Sequence, residues 1–169
     1  CQVLELRPLD HATIARALGE GWQVPSEQAE LLARLSAGRL GWAVEQAQRP
    51  AMWQERETRL EQLWALMRAD RNERLALSEQ MASRNAQLYA MLELWSTWWR
   101  DVMLVQAGGG DACCNTDFRM VLEQQAQALS PEQVQQYVHT MRRVEQSLRT
   151  NVNARLALDV MLLRLPHLA

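Results

Sequence analysis

The sequence predicts an all-α protein, and three observations carry that prediction. Apolar residues recur at three- and four-residue spacings through most of the 169 residues, which is the pattern of helices that bury one face. Proline, glycine and short polar residues stand where helices typically begin and end. The segment 151–166 is apolar around most of its circumference, so it is expected to be buried in its own core or against a partner.

The first fifty residues predict a short strand and three short helices. Residues 3–6 alternate like a strand without a second strand to pair with, so we expect the chain to be the C-terminal part of a longer protein. Asp10 or Leu9 is expected to cap the first helix, and Gly19–Gly21 to break it. Ala37–Gly38 is expected to end the second helix in the left-handed conformation. The predicted helices run from about 10 to 18, from 25 to 37 and from 39 to 48.

Longer helices are predicted beyond Pro50. One spans 51–69, and an unbroken helical pattern then continues from 71 to about 106. Its second half carries three tryptophans at helical spacing, Trp95, Trp98 and Trp99. Such a stripe could stack on bases or on a ligand, but tryptophan buries a large apolar area, and core packing is therefore the favoured interpretation.

A glycine-rich loop and three more helices complete the predicted five-helix bundle. The loop 107–115 lacks the spacing and the Lys-Ser/Thr of a phosphate-binding loop, so it is interpreted as a connection. Asp117 is expected to cap the next helix. Ser130, followed by proline and a glutamine three residues on, predicts a capping box. Asn151 is expected to cap the last helix, which Pro166 ends.

Composition argues against several classes of function. The net charge of -2 and the absence of a basic run disfavour a nucleic-acid-binding module, and Arg142-Arg143 is interpreted as a solvated helix face. The adjacent Cys113 and Cys114 are expected to be thiols in a reducing cytoplasm, and the scattered histidines give no metal-ligand spacing. No membrane span, cofactor site or set of catalytic residues is predicted.

Five segments share an order and spacing with a known family: Cys1–Leu9, Leu32–Ala43, Leu94–Asp101, Asn115–Asp117 and Asn151–Asp159. Together they resemble the C-terminal half of the delta-prime subunits of the bacterial DNA polymerase III clamp loader, which are AAA+ proteins. The resemblance implies three regions. Residues 1–8 would be the last strand of a missing nucleotide-fold domain, 9–49 the three-helix AAA+ lid, and 50–169 the helical collar.

The resemblance also implies a function. The chain would be a non-catalytic, cytoplasmic subunit that supports ring assembly and sliding-clamp loading in DNA replication, without a cofactor of its own. Its partners would be the other clamp-loader subunits, bound through the collar. It would meet the sliding clamp and primed DNA only as part of the full complex.

Gly41 helps to choose between members of this family. ATP-hydrolysing relatives carry an arginine in the third lid helix that reaches the nucleotide phosphates, and Gly41 aligns with that position. A glycine cannot supply the charged contact. Arg39 lies roughly 200° away around the helix, so it is not expected to substitute. The alignment therefore favours the non-hydrolysing delta-prime type over the gamma/tau type.

The subunit interface is expected on the last helix, at Asn151, Asn153, Arg155, Leu158 and Leu162. If Leu162 is exposed there, Leu162→Glu should weaken association with other subunits. Two alternatives stay open at this point. One is the equivalent fragment of a gamma/tau-type ATPase subunit. The other is a helix-turn-helix DNA-binding regulator with 39–48 as its recognition helix.

Overall fold

The computed structural model of the chain describes residues 7–82, 85–150 and 153–168. Over these residues the secondary structure consists of α-helices and two short 3-10 turns, Gly110–Ala112 and Thr116–Phe118, which confirms the all-α prediction. The strand predicted at 3–6 lies outside the described residues. The helices are α1 His11–Trp22, α2 Ser26–Leu35, α3 Leu40–Ala47, α4 Met52–Arg68, α5 Arg71–Ala82, α6 Asn85–Gln106, α7 Arg119–Ala128, α8 Pro131–Leu148 and α9 Ala154–Leu163.

The chain divides into two compact units. The first unit comprises Cys1–Trp53 and Cys114–Phe118, and the second comprises Gln54–Cys113 and Arg119–Ala169. Helices α1, α2 and α3 pack on one another in the first unit. In the second unit α5 packs on α9, α6 packs on α7 and α8, and α8 packs on α9.

The first unit has an apolar core drawn from all three of its helices. Its fully buried members include Ile14 and Leu18 of α1 together with Leu32 and Ala33 of α2. Asp10 caps α1 as predicted, because its side chain accepts a hydrogen bond from the backbone N–H of Thr13 at 2.8 Å. That hydrogen bond is also the main reason why the pKa of Asp10 is lowered.

The prediction that Gly19–Gly21 would break α1 is wrong. The helix continues through both glycines to Trp22 and ends at Gln23, whose φ is 56°. A glycine inside a helix costs only about 1 kcal/mol relative to alanine. Burial of the α1 stripe in the core outweighs a penalty of that size.

The turn after α2 has the predicted left-handed conformation, with φ of 50° at Ala37 and 84° at Gly38. Gly38 is required there for a second reason as well. A Cβ at this position would lie 2.4 Å from the Cβ of Pro8, and the backbone N–H of Leu9 donates to the Gly38 carbonyl oxygen at 3.1 Å. The turn therefore anchors the segment that leads into α1.

Tryptophans form the centre of the second unit, as the core interpretation predicted. Trp95, Trp98 and Trp99 are all completely buried in α6. The Nε1 of Trp95 donates to the backbone carbonyl oxygen of Arg59 at 3.1 Å, and that of Trp98 donates to the Gln125 side chain at 2.9 Å. These two indoles thus join α6 to neighbouring helices while they fill the interior.

Several predicted helix boundaries shift in the structure. The capping box at Ser130 is present, with reciprocal hydrogen bonds between Ser130 and Gln133. Helix α7 begins only at Arg119, and Asp117 lies inside the preceding 3-10 turn. The helix predicted to run unbroken from 71 to about 106 is described as α5 and α6, and residues 83–84 lie outside the described part.

Candidate subunit interface

The last helix begins two residues later than the sequence suggested. The side chain of Asn153 accepts hydrogen bonds from the backbone N–H groups of Arg155 at 3.0 Å and Leu156 at 3.4 Å, so Asn153 is the N-cap of α9. The assignment of Asn151 as the cap is therefore wrong. Asn151 itself lies outside the described residues. Since the side chain of Asn153 caps the helix, its oxygen is already engaged within the chain.

Polar side chains fix α9 to α5. The Ser78 hydroxyl, which is completely buried, donates to the carboxylate of Asp159 in a short hydrogen bond. One turn away, the guanidinium of Arg155 forms two hydrogen bonds with the carboxylate of Glu79, at 3.1 and 3.4 Å. Arg155 therefore pairs within the chain, although the sequence suggested a role at an interface.

Helix α9 has two apolar rows on opposite faces, one buried and one exposed. Leu158 and Leu162 are completely buried, together with Met161. The expectation that Leu162 is exposed is wrong, because the helix presents its 158–162 face to α5 and α8. The outward row consists of Leu156, which is 60% exposed, and Val160, which is 46% exposed. Sequence periodicity missed this row, since a helix that is apolar all round does not reveal which side faces water.

A buried arginine joins the ends of two helices. Arg74 of α5 donates to four backbone carbonyl oxygens, those of Leu66 (3.0 Å), Met67 (3.5 Å), Leu162 (3.2 Å) and Leu165 (2.7 Å). These carbonyls lie at the C-terminal ends of α4 and α9, where helices leave acceptors unpaired and carry partial negative charge. Burial lowers the pKa of Arg74, but an arginine remains charged at neutral pH.

A groove of about 390 Å³ runs along the other flank of α9, between it and α8. Leu156 and Val160 form its α9 side together with Ala157, and Val144 lies on its α8 side. A second cavity of about 470 Å³ shares residues with the first, so the depression continues along both helices. The residues common to both cavities are Thr140, Arg143 and Arg164.

Positive charge dominates this groove. Arg143 of α8 and Arg164 at the end of α9 line it, and no aspartate or glutamate does. Both arginines are exposed, and over the described residues neither guanidinium has an ion-pair partner. Sequence reasoning assigned Arg143 only to a solvated face, because Arg164 lies 21 positions away and their proximity depends on the packing of two helices.

The lid position singled out in the sequence lies on α3. Gly41 is exposed, and a Cβ built there would meet no atom within 4 Å. Arg39 is engaged locally, since its Nε donates to the Ser36 carbonyl oxygen at 2.9 Å and its guanidinium lies 5.6 Å from the Trp42 ring centre. Gly41 thus offers no polar group, and Arg39 is held by its own unit.

Elsewhere the described residues offer little for metal or redox chemistry. Cys113 and Cys114 are both buried thiols, and Cys113 donates to the backbone carbonyl oxygen of Asp101 at 3.6 Å. Across the ranges that the structure describes, no three His, Cys, Asp or Glu side chains converge as metal ligands. None of the helices in those ranges combines the length and hydrophobicity needed to cross a bilayer.

Comparison with known families places the helices that build this groove in one family. Residues 50–167, which make up more than half of the chain and include every helix from α4 to α9, match the family model described as DNA polymerase III, delta subunit, C terminal. No curated protein and no solved structure matched the chain. On the strength of the family match, the chain belongs to the family formed by the C-terminal regions of DNA polymerase III delta subunits.

Proposed function

We propose that the chain is a non-catalytic, delta-prime-type subunit of the DNA polymerase III clamp loader. In this proposal residues 50–169 form the collar through which it joins the other subunits. The observation that carries the proposal is the family match, since it spans all of the helices α4–α9. The family model names the delta subunit. The finer assignment to delta-prime rests on the resemblance of the whole chain, including residues 1–49.

The first unit supports a subunit that does not hydrolyse ATP. In the proposed alignment, residues 9–49 form an AAA+ lid, and Gly41 occupies the place of the arginine that contacts nucleotide phosphates in hydrolysing relatives. Gly41 has no side chain, and Arg39 is held by Ser36 and Trp42. A gamma/tau-type lid would need a cationic side chain at position 41, and Gly41 does not provide one.

The second unit supports a role in assembly. Its last helix keeps the apolar side chains of Leu156 and Val160 in contact with water, where a partner could cover them. In the proposed complex the chain works in the cytoplasm. It takes part in sliding-clamp loading on primed DNA only as a member of the assembled ring.

Reconstitution tests this proposal directly. The chain would be co-expressed with delta and gamma/tau-type subunits of a bacterial clamp loader, and the complex isolated by size-exclusion chromatography. We expect the chain to co-elute with those subunits. Failure of the wild-type chain to co-elute would contradict the proposal, and ATP turnover by the purified chain alone would contradict its assignment as non-hydrolysing.

A further inference from the structure

The groove between α8 and α9 is elongated and could accept a row of side chains from a bound helix. Its walls come from two neighbouring helices, with Arg143, Val144 and Ser147 on α8 facing Leu156 and Val160 on α9. Residues spaced by three and four positions repeat along each wall, so the groove follows the helix axes. A volume of about 390 Å³ holds several side chains but not a whole helix. A bound helix would therefore lie over the groove and insert only the side chains of one face.

The side chains that line the groove indicate which residue types the bound face would carry. Its apolar part is formed by Leu156 and Val160, which are 60% and 46% exposed. The guanidinium groups of Arg143 and Arg164 flank this part, and both lack an ion-pair partner over the described residues. An occupant that brings carboxylates to the arginines and apolar side chains to the centre would satisfy both. Arginine–carboxylate pairs are also geometrically specific, because they can be bidentate.

We infer that this groove binds an amphipathic helix from a different protein, with apolar residues along its contact face and aspartate or glutamate beside them. The side chains of the groove support this inference independently of the proposed function. Only the identification of the bound protein as another clamp-loader subunit rests on the proposed function. Helix-in-groove recognition uses contacts at i, i+3, i+4 and i+7, which match the spacing of the walls.

A nucleic acid fits the same groove less well. A phosphate backbone would meet only two guanidinium groups here, on a chain whose net charge is -2. Binding to DNA is usually supported by many basic contacts that release counterions. A nucleic acid bound in this groove would also leave the exposed faces of Leu156 and Val160 in water. The apolar centre of the groove is therefore the reason to prefer a helix.

Matched charge-reversal variants test the inference in the reconstituted complex. Arg143→Glu with Arg164→Glu reverses both groove charges. Arg142→Glu with Arg149→Glu makes the same change in net charge at exposed residues, on α8 and at its C-cap, that do not line the groove. We expect the affinity for the other loader subunits to fall at least about tenfold in the groove variant and to stay within about twofold in the control. Thermal unfolding of both variants checks that the fold is retained.

Synthetic peptides test the groove without reference to the loader. One helical peptide would carry leucines at i and i+4 with flanking glutamates, and a second would carry lysines in place of the glutamates. Fluorescence anisotropy should show that the wild-type chain binds the acidic peptide more tightly. The groove variant should reverse that preference.

The outcomes separate the two proposals. If the wild type joins the loader and the groove variant joins equally well, the inference is overturned while the proposed function stands. If the wild type fails to join the loader, the proposed function fails, and the peptides decide the inference. Equal binding of the two peptides, tighter binding of duplex DNA, or self-association that the groove variant abolishes would each overturn it.

Discussion

Helix α9 is flanked by α5 and by α8, and the two flanks are built differently. Towards α5, polar groups are matched, since Ser78 donates to Asp159 and Arg155 pairs with Glu79. Towards α8, two arginines and an apolar row face an open groove. The polar groups on the α5 flank are paired within the chain, whereas Arg143 and Arg164 on the α8 flank have no ion-pair partner among the described residues.

This difference separates residues that stabilise the fold from residues that can bind. A change on the α5 flank should lower the free energy of unfolding, because it removes contacts made within the chain. Substitution of the exposed groove residues on the α8 flank should change the unfolding free energy little and should act on association. Substitutions on and around α9 test that separation, beginning with the largest expected effect on stability.

Leu162→Glu should destabilise the second unit by more than about 4 kcal/mol, because it forces a carboxylate into a position that is completely buried. Leu162→Met, which conserves apolar volume, should cost less than about 1.5 kcal/mol. Urea unfolding followed by circular dichroism measures both. A glutamate variant as stable as the wild type would place Leu162 on the surface after all.

Arg74→Met should cost about 2–4 kcal/mol, since it removes the donors that satisfy carbonyls at the ends of α4 and α9. The apolar replacement fills much of the space, so the loss reflects the hydrogen bonds rather than a cavity. Arg71→Met, at an exposed position on the same helix, should change stability by less than about 0.5 kcal/mol. Chemical denaturation would compare the two, and equal stabilities would contradict the role of Arg74.

The pair Arg155–Glu79 should contribute only about 0.2–1 kcal/mol, because both side chains are more than half exposed. A double-mutant cycle with Arg155→Ala and Glu79→Ala isolates this coupling energy. If Arg155 also contacted a partner, Arg155→Ala would weaken assembly by more than Glu79→Ala does. That comparison decides whether Arg155 takes part in a subunit interface in addition to its pair with Glu79.

Replacing the outward row should affect folding least. Leu156→Ser and Val160→Ser should each lower the unfolding free energy by less than about 1 kcal/mol, since Leu156 is 60% exposed and Val160 is 46% exposed. Assembly with the other subunits should nevertheless weaken, as measured by co-elution. If a serine variant lost several kcal/mol of stability instead, the row would belong to the core.

Local signals in the sequence were sufficient for much of the fold. The capping box at Ser130, the Asp10 cap and the left-handed turn at Ala37–Gly38 all follow from residue types whose hydrogen bonding or backbone freedom is local. The buried tryptophans followed from helical spacing and size. Two asparagines close together, Asn151 and Asn153, gave equivalent cap signals, and the sequence alone does not show that Asn153 is the cap.

The candidate site needed tertiary information. No local pattern marks Arg74 as buried, because arginine is usually exposed unless its donors are satisfied. The sequence does not show that Leu158 points inward and Leu156 outward, since both lie on a helix that is apolar all round. Nor does it bring Arg143 to Arg164. The groove exists only once α8 and α9 pack side by side.

The bridge made by Arg74 has a consequence for biosynthesis. Its guanidinium connects carbonyls at 66–67 with carbonyls at 162 and 165, and the backbone N–H of Leu168 donates to the Met67 carbonyl oxygen at 2.9 Å. During translation, α4 and α5 therefore emerge from the ribosome roughly ninety residues before the groups that complete them. Until residues 162–168 leave the exit tunnel, α4 and α5 expose apolar surface of the kind that chaperones bind.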